Sequence, residues 1–175
     1  IQEAARCFTG WEVRHNAFRF NRHQHDAGLK TIFGQQGAFG GEDAVRIIVA
    51  QPAAPQFIAR KLVKAFACDA PVSDALIEPL ARELRNNDFE IAPTLRRIFL
   101  SRFFYSRWCV GQKIRGPVEL AVGLLRSLEG TAATTQLARA LRPLGQRLFF
   151  PPNVKGWDGG STWINATTLI GRVNL

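Results

Sequence analysis

The stretch from Pro52 to Phe66, "PAAPQFIARKLVKAF", constrains the fold most: its apolar residues recur at helical and not at strand spacing. On a helical wheel Ile58, Ala59, Leu62, Val63, Ala65 and Phe66 fill one arc, while Arg60, Lys61 and Lys64 fill the opposite one. The signature repeats downstream. Leu76, Leu80 and Leu84 stand at i, i+4, i+8 with Ile77 and Ala81 beside them, and Pro79 belongs to the first turns of that helix or kinks it. A third helix starts at Pro93 and stacks Leu95, Phe99 and Phe103. A fourth starts at Pro117 and is apolar around most of its circumference, from Val118 to Leu128, which predicts the most buried element of a bundle. A fifth covers about 133–148 with an interruption at Pro143, and a last one, capped by Ser161 or Thr162, runs through Ile170 with Trp163 as a core residue.

Ahead of Pro52 the pattern differs. Residues 2–8 read as the end of a helix closing at Thr9-Gly10. In "WEVRHNAFRFN", Trp11, Val13, Phe18 and Phe20 alternate with polar residues around a turn at Asn16-Ala17, which predicts a β-hairpin. "FGQQGAFGGED" reads as a loop entering a helix over 42–51; Glu42 and Asp43 in its first turn would repel a phosphate, and no P-loop lysine accompanies the glycines. The expected fold is therefore all-α: an irregular bundle of about six helices with one small β-hairpin near the N-terminus, in a single helical domain over 1–175. The opening "IQEAARCFTGW" reads as a helix entered midway, with no methionine before it or anywhere in the chain, so the expectation is a fragment of a longer protein.

No apolar run is long enough to span a membrane, and no signal-peptide pattern stands at the front. The net charge of +9 suits an anionic partner such as nucleic acid, a lipid surface or an acidic glycan. Arg96, Arg97, Arg102, Arg107 and Arg115 beside Phe103-Phe104-Tyr105 would be the nucleic-acid residues, but no recognised nucleic-acid motif accompanies them, which argues against that partner. Cys7, Cys68 and Cys109 are odd in number and widely spaced, so neither a disulfide framework nor a cysteine zinc site is indicated, and small buried hydrophobes is the plainer reading.

Chemistry-bearing residues concentrate in "HNAFRFNRHQHDAGLK" at 15–30, which contains every histidine of the chain. His25 and Asp26 as an acid/base pair with Lys30 as electrostatic or nucleophilic partner form the candidate catalytic set. His23 and His25, at i, i+2 on one side of an extended strand, form a weaker metal alternative that Asp26 or His15 would have to complete. Against both stands a structural reading, in which Asp26 bonds the backbone amides of a turn opened by Gly28 and Lys30 pairs nearby. Trp11, Trp157 and Asp158 are the ligand-binding candidates, because a loop-borne indole beside polar groups can stack a sugar ring; plugging a loop onto a core is the competing role. No motif points to a cofactor.

Six blocks in order carry a resemblance: "AARCFTGW" at 4–11, "HDAGLKTIFG" at 25–34, "PQFIARKLVKAF" at 55–66, "LRRIFLSRFF" at 95–104, "KIRGPVELAVGLLRSL" at 113–128 and "LGQRLFFPPNVKGWDGGSTWINATTLIGR" at 144–172. Together they resemble the C-terminal part of the domain of unknown function 1800 family of bacterial proteins. The resemblance implies an exported protein, and a partner from a sulfatase-like family, domain of unknown function 1501. It assigns no activity. Its pattern covers His25, Asp26, Gly28, Lys30 and Gly34 and leaves out His15 and His23. A binding or assembly module acting with that partner, with polysaccharide as a candidate ligand, is the leading expectation. A hydrolase-like enzyme centred on His25, Asp26 and Lys30 is the alternative.

Overall fold

The amphipathic stretch after Pro52 forms a helix, as its periodicity requires, and it anchors a mostly helical architecture. A computed structural model describes residues 1–175. In chain order the elements are α1 (Gln2–Cys7), β1 (Trp11–Arg14), β2 (Ala17–Phe20), β3 (Lys30–Ile32), β4 (Gln35–Gly37), α2 (Gly41–Val49), α3 (Ala53–Phe66), α4 (Asp74–Asn86), α5 (Ile91–Phe99), α6 (Pro117–Ser127), α7 (Thr134–Leu141) and α8 (Ala166–Val173), with a 3-10 turn at Gly160–Trp163 before α8. The helical class holds, with eight α-helices where the wheel patterns suggested about six, and with a second hairpin beside the first. The chain divides into two compact units: residues 1–60 with 74–91, and residues 61–73 with 92–175.

In the first unit, β1 and β2 pair antiparallel with Trp11 opposite Phe20 and Val13 opposite Phe18, which puts the four apolar side chains on one face. The turn falls at His15-Asn16, one residue earlier than the sequence suggested; both residues have positive φ, 51° and 60°, the mirror-image turn whose twist suits a two-residue hairpin. The second hairpin pairs Lys30 with Gly37 and Ile32 with Gln35 around Phe33-Gly34, which again have positive φ of 46° and 80°. It occupies the glycine-rich stretch expected to be a loop. A small core of Cys7, Ile32, Ala44 and Ile47, with Phe8 and Phe39 against it, joins α1, β3 and α2. The Asp43 carboxylate accepts from the Gly40 amide at 3.1 Å and closes the start of α2. On α4, Ile77, Leu80, Ala81 and Leu84 are buried, and Arg85 donates to the carbonyls of Val49 and Gln51 at 2.9 and 2.8 Å, satisfying acceptors at the end of α2.

In the second unit Ala121, Leu141 and Leu144 are buried together, with Val118, Leu137 and Leu175 packed against them. Contrary to its wheel, α6 is not the most buried element: only Pro117 and Ala121 are buried, while Val122 is 41% and Leu124 40% exposed. Its neighbours cover one side of a helix that is apolar on most sides. Helix α7 stops before Pro143. The last helix is capped by Asn165 and not by Ser161 or Thr162: the Asn165 Oδ1 accepts from the Thr168 amide at 2.9 Å while the Thr168 hydroxyl accepts from the Asn165 amide at 3.0 Å. Trp163 is buried as expected, but in the 3-10 turn that precedes the cap. No helix is long and apolar enough to cross a membrane.

Candidate functional site

The turn after the first hairpin brings His25, Asp26 and Lys30 together with two residues of α1. The Arg6 guanidinium holds both Asp26 carboxylate oxygens, Nε to Oδ2 at 2.7 Å and Nη2 to Oδ1 at 3.2 Å, and its Nη1 reaches both oxygens of Glu3 at 2.9 Å. Glu3 accepts in turn from the Thr31 amide at 3.1 Å, so one arginine ties α1 to the turn and, through Glu3, to β3. The Gly28 amide donates to Asp26 Oδ1 at 2.9 Å, the Asx geometry that the sequence raised as the structural reading. Gly28 is required there, because a Cβ would stand 2.9 Å from the Arg6 Nη2 and 3.0 Å from Asp26 Oδ1. Lys30 is fully buried; its ammonium donates to the Gly28 carbonyl at 3.2 Å and to the Asp26 carbonyl in a short contact.

Thr9 closes the arrangement. Its hydroxyl donates to the Arg6 carbonyl at 2.7 Å and accepts from the Asp26 amide at 2.8 Å. His25 Nδ1 lies 2.9 Å from the Thr9 carbonyl oxygen, which can only accept, so Nδ1 carries the proton and the unprotonated nitrogen of a neutral ring is Nε2. Gly10, at φ +82°, lets the chain pass close beneath: a Cβ would meet the Asn21 carbonyl at 2.6 Å. The Arg6 hydrogen bonds, then the Gly28 amide, hold the Asp26 carboxyl far below the usual carboxylate range, and Arg6 lowers Glu3 likewise. A carboxylate so firmly ionised is a poor proton acceptor. The chemistry of this cluster is that of a fastener.

His15 and His23 lie exposed, away from these bonds. Among the described residues no three His, Cys, Asp or Glu side chains are placed to hold a metal ion. Trp11 packs edge-on against Phe8 at 5.2 Å and Phe18 at 5.3 Å, with Gly41 of α2 so close beneath that a Cβ would stand 2.4 Å from its Cζ2.

Trp157 and Asp158 belong to a different setting, within the second unit. An open cleft of about 450 Å³ is walled by the end of α3, the segment before α6 and the loop before the 3-10 turn, with the half-buried Trp157 in its lining. Lys61, Lys64 and Lys113 bring cations to it, and Asp69, Glu119 and Asp158 bring acids. The walls are tied by Lys64 Nζ to the Asp158 carbonyl at 3.1 Å, Lys113 Nζ to the Lys64 carbonyl at 3.2 Å, and the Ile114 amide to Asp69 Oδ2 at 2.8 Å. Glu119 and Gln146 accept from the amides of Gly116 and Val118, both at 2.9 Å, which fixes the first turn of α6 at the cleft.

Sequence reasoning missed Arg6 and Glu3, although their i, i+3 spacing in "EAAR" was a visible sign of a prepositioned guanidinium. It missed as well the lysines that join Trp157, since Lys61 and Lys64 read only as a solvated helix face. A family model described as "Protein of unknown function (DUF1800)" matches residues 1–175. No curated protein and no solved structure is found to match the chain.

Proposed function

Because the chain belongs to the DUF1800 family of proteins of unknown function, its role has to be argued from its own sites, and we propose that it is a binding module whose ligand seat is the cleft around Trp157. The ligand class is polysaccharide. The observation that carries this reading is the half-buried Trp157 indole in an open cleft whose lining also holds Lys61, Lys64, Lys113, Asp69, Glu119, Asp158 and Gln146, the rest being apolar residues and glycines. A sugar ring offers an apolar C–H face to an indole and a rim of hydroxyls to Lys, Asp, Glu and Gln, which make up the polar part of this lining. The cluster of His25, Asp26 and Lys30 supports the module by holding the first unit's turn in place, each side chain being engaged by α1 or by its own turn. The sulfatase-like partner and the exported location implied by the family resemblance belong to the same proposal, as the setting in which such a module would meet a polysaccharide.

The test is a panel of soluble neutral and acidic polysaccharides read by thermal shift and calorimetry. At least one is expected to raise the melting temperature of the protein, and Trp157→Ala to weaken its binding by about 10-fold or more while leaving the melting temperature without ligand nearly unchanged. A panel without effect, or equal binding by the variant, overturns the assignment of the cleft. Co-purification with the sulfatase-like protein checks the partner separately.

A further inference from the structure

The cleft around Trp157 has a neighbour within the second unit. Beside it lies an open cavity of about 440 Å³ lined by Gly111, Lys113, Arg115 and Glu119, and two of these residues, Lys113 and Glu119, line the Trp157 cleft as well. Each cavity has the size of a small-ligand pocket, roughly 300–1,000 Å³, so the two together suit a chain of rings better than a single sugar. Arg115 is exposed in the second cavity. Its carbonyl accepts from Arg172 Nη2 at 2.6 Å, which holds the backbone there, and its guanidinium lies over Gly123 of α6, where a Cβ would stand 3.0 Å from Nη1. Among the described residues that guanidinium meets neither a carboxylate nor any other acceptor. A side chain with five donors and no acceptor, seated on a helix yet unpaired, is arranged to receive an anion from outside the chain.

The acids of the two cavities are engaged within the chain. Asp69 Oδ2 accepts from the Ile114 amide at 2.8 Å and its Oδ1 stands 3.9 Å from the Lys113 ammonium. Glu119 Oε2 accepts from the Gly116 amide at 2.9 Å, at the start of α6, where the helix dipole favours a negative charge. Asp158, the third acid, lines the Trp157 cleft and not the second cavity. The lysines are tied to neutral groups as well: Lys64 donates to the Asp158 carbonyl at 3.1 Å and Lys113 to the Lys64 carbonyl at 3.2 Å, bonds that fix an ammonium without cancelling its charge. We propose that the polysaccharide seated at Trp157 is acidic and runs past Lys113 into the second cavity, where Arg115 receives a carboxylate or sulfate ester group of the chain. The inference rests on the Trp157 cleft being the ligand seat, and it adds the charge and the extent of what that seat holds. The indole takes the C–H face of a ring of either kind, and Arg115 tells a charged chain from a neutral one. Arg96, Arg102 and Arg107, which a nucleic acid would need beside Arg115, line neither cavity, so a glycan chain is the polymer that fits.

Calorimetry on the whole protein compares oligogalacturonides with their methyl-esterified forms, which keep the chain and lose its charge, and oligosaccharides of a sulfated galactan with their desulfated forms. In at least one pair the charged chain is expected to bind about 10-fold tighter, with an affinity that falls as salt is raised. The pair that shows the difference identifies the group as carboxylate or sulfate. Arg115→Gln is expected to abolish that difference while the melting temperature and the binding of neutral chains stay unchanged. Gly123→Ala, which displaces the guanidinium without removing it, is expected to reduce the difference, and Trp157→Ala to weaken charged and neutral chains alike. Equal binding within both pairs, or a preference for charge that survives Arg115→Gln, overturns the inference; if Trp157→Ala still weakens binding, the Trp157 seat stands without it. A single-stranded oligonucleotide bound as tightly as the acidic glycan also overturns it. Binding of none of the chains removes the seat and the inference together.

Discussion

A lysine with no exposed surface must find acceptors for its ammonium inside the protein, and Lys30 finds them in the carbonyls of Asp26 and Gly28. Those carbonyls then depend on Lys30. Lys30→Met keeps the length of the side chain and leaves both acceptors short of a donor, so the expected cost is about 3 kcal/mol in chemical denaturation. A variant within about 0.5 kcal/mol of the natural protein would show that water replaces the ammonium. The turn itself was legible in "HDAGLK", because an Asp two residues before a Gly has a local role that needs no distant partner. Arg6, the stronger partner, was not legible as one: it lies 20 residues from Asp26 and reads as an ordinary polar position on a short helix. A one-dimensional pattern carries no signal for a bidentate pair formed across two elements. The same limit hid the company of Trp157, whose lining lysines Lys61 and Lys64 lie on α3.

At the scale of elements, helices of nine residues or more followed from periodicity, whereas three-residue strands did not. The β3–β4 hairpin is too short for alternation to register, and its turn seats Phe33 at positive φ, where sequence preference argues for a different residue. Tertiary burial of Lys30 and Ile32 on one side of β3 outweighs that cost. Helix α6 shows the reverse error: an apolar circumference states what could be buried, and only the neighbours decide what is. Leu124→Gln is therefore expected to change stability by no more than about 0.5 kcal/mol, while Leu141→Ala, at the buried contact, costs about 3 kcal/mol by urea unfolding. Comparable losses at the two positions would mean that Leu124 is covered. In the first unit, Gly41 at the start of α2 lies under Trp11, where a Cβ would come within 2.4 Å of the indole and within 2.9 Å of the Phe8 ring. Gly41→Ala is expected to cost about 2 kcal/mol despite alanine's higher helix propensity, since overpacking against two rigid rings exceeds the propensity gain. An equal or more stable variant would place Trp11 away from the helix.

For the molecule as a whole, the ionic fastener of the first unit predicts an acid-sensitive stability. Asp26 and Glu3 have folded-state pKa values below their ordinary values of 3.8 and 4.5, with the Arg6 hydrogen bonds as the leading cause in both. Folding therefore favours their ionised forms. The stability they contribute is fully present above those ordinary values and is lost as the pH falls below them. Thermal melts should show Asp26→Asn less stable than the natural protein at pH 7, with the gap narrowing as the pH drops below about 4. A gap that stays constant down to pH 3 would assign the variant's loss to packing and not to charge. Hydrogen exchange should show the α1 and β3 amides losing protection over the same interval, because Arg6, Glu3 and Asp26 join those elements to the turn.

The sequence by itself determined the helical class, the first hairpin with its apolar face, and the small set of side chains able to carry chemistry. These follow from periods of 3.6 and 2 and from residue type, which are properties of short stretches of chain. Tertiary structure alone decided what those side chains do. It spent Asp26 on Arg6 and Lys30 on two carbonyls, and gave Trp157 a cleft shared with lysines of α3. The Arg6–Asp26 pair and the cleft join residues far apart in sequence, fixed by packing that no local pattern encodes, whereas the Lys30 bonds lie within one turn and only the burial of the ammonium is a tertiary effect.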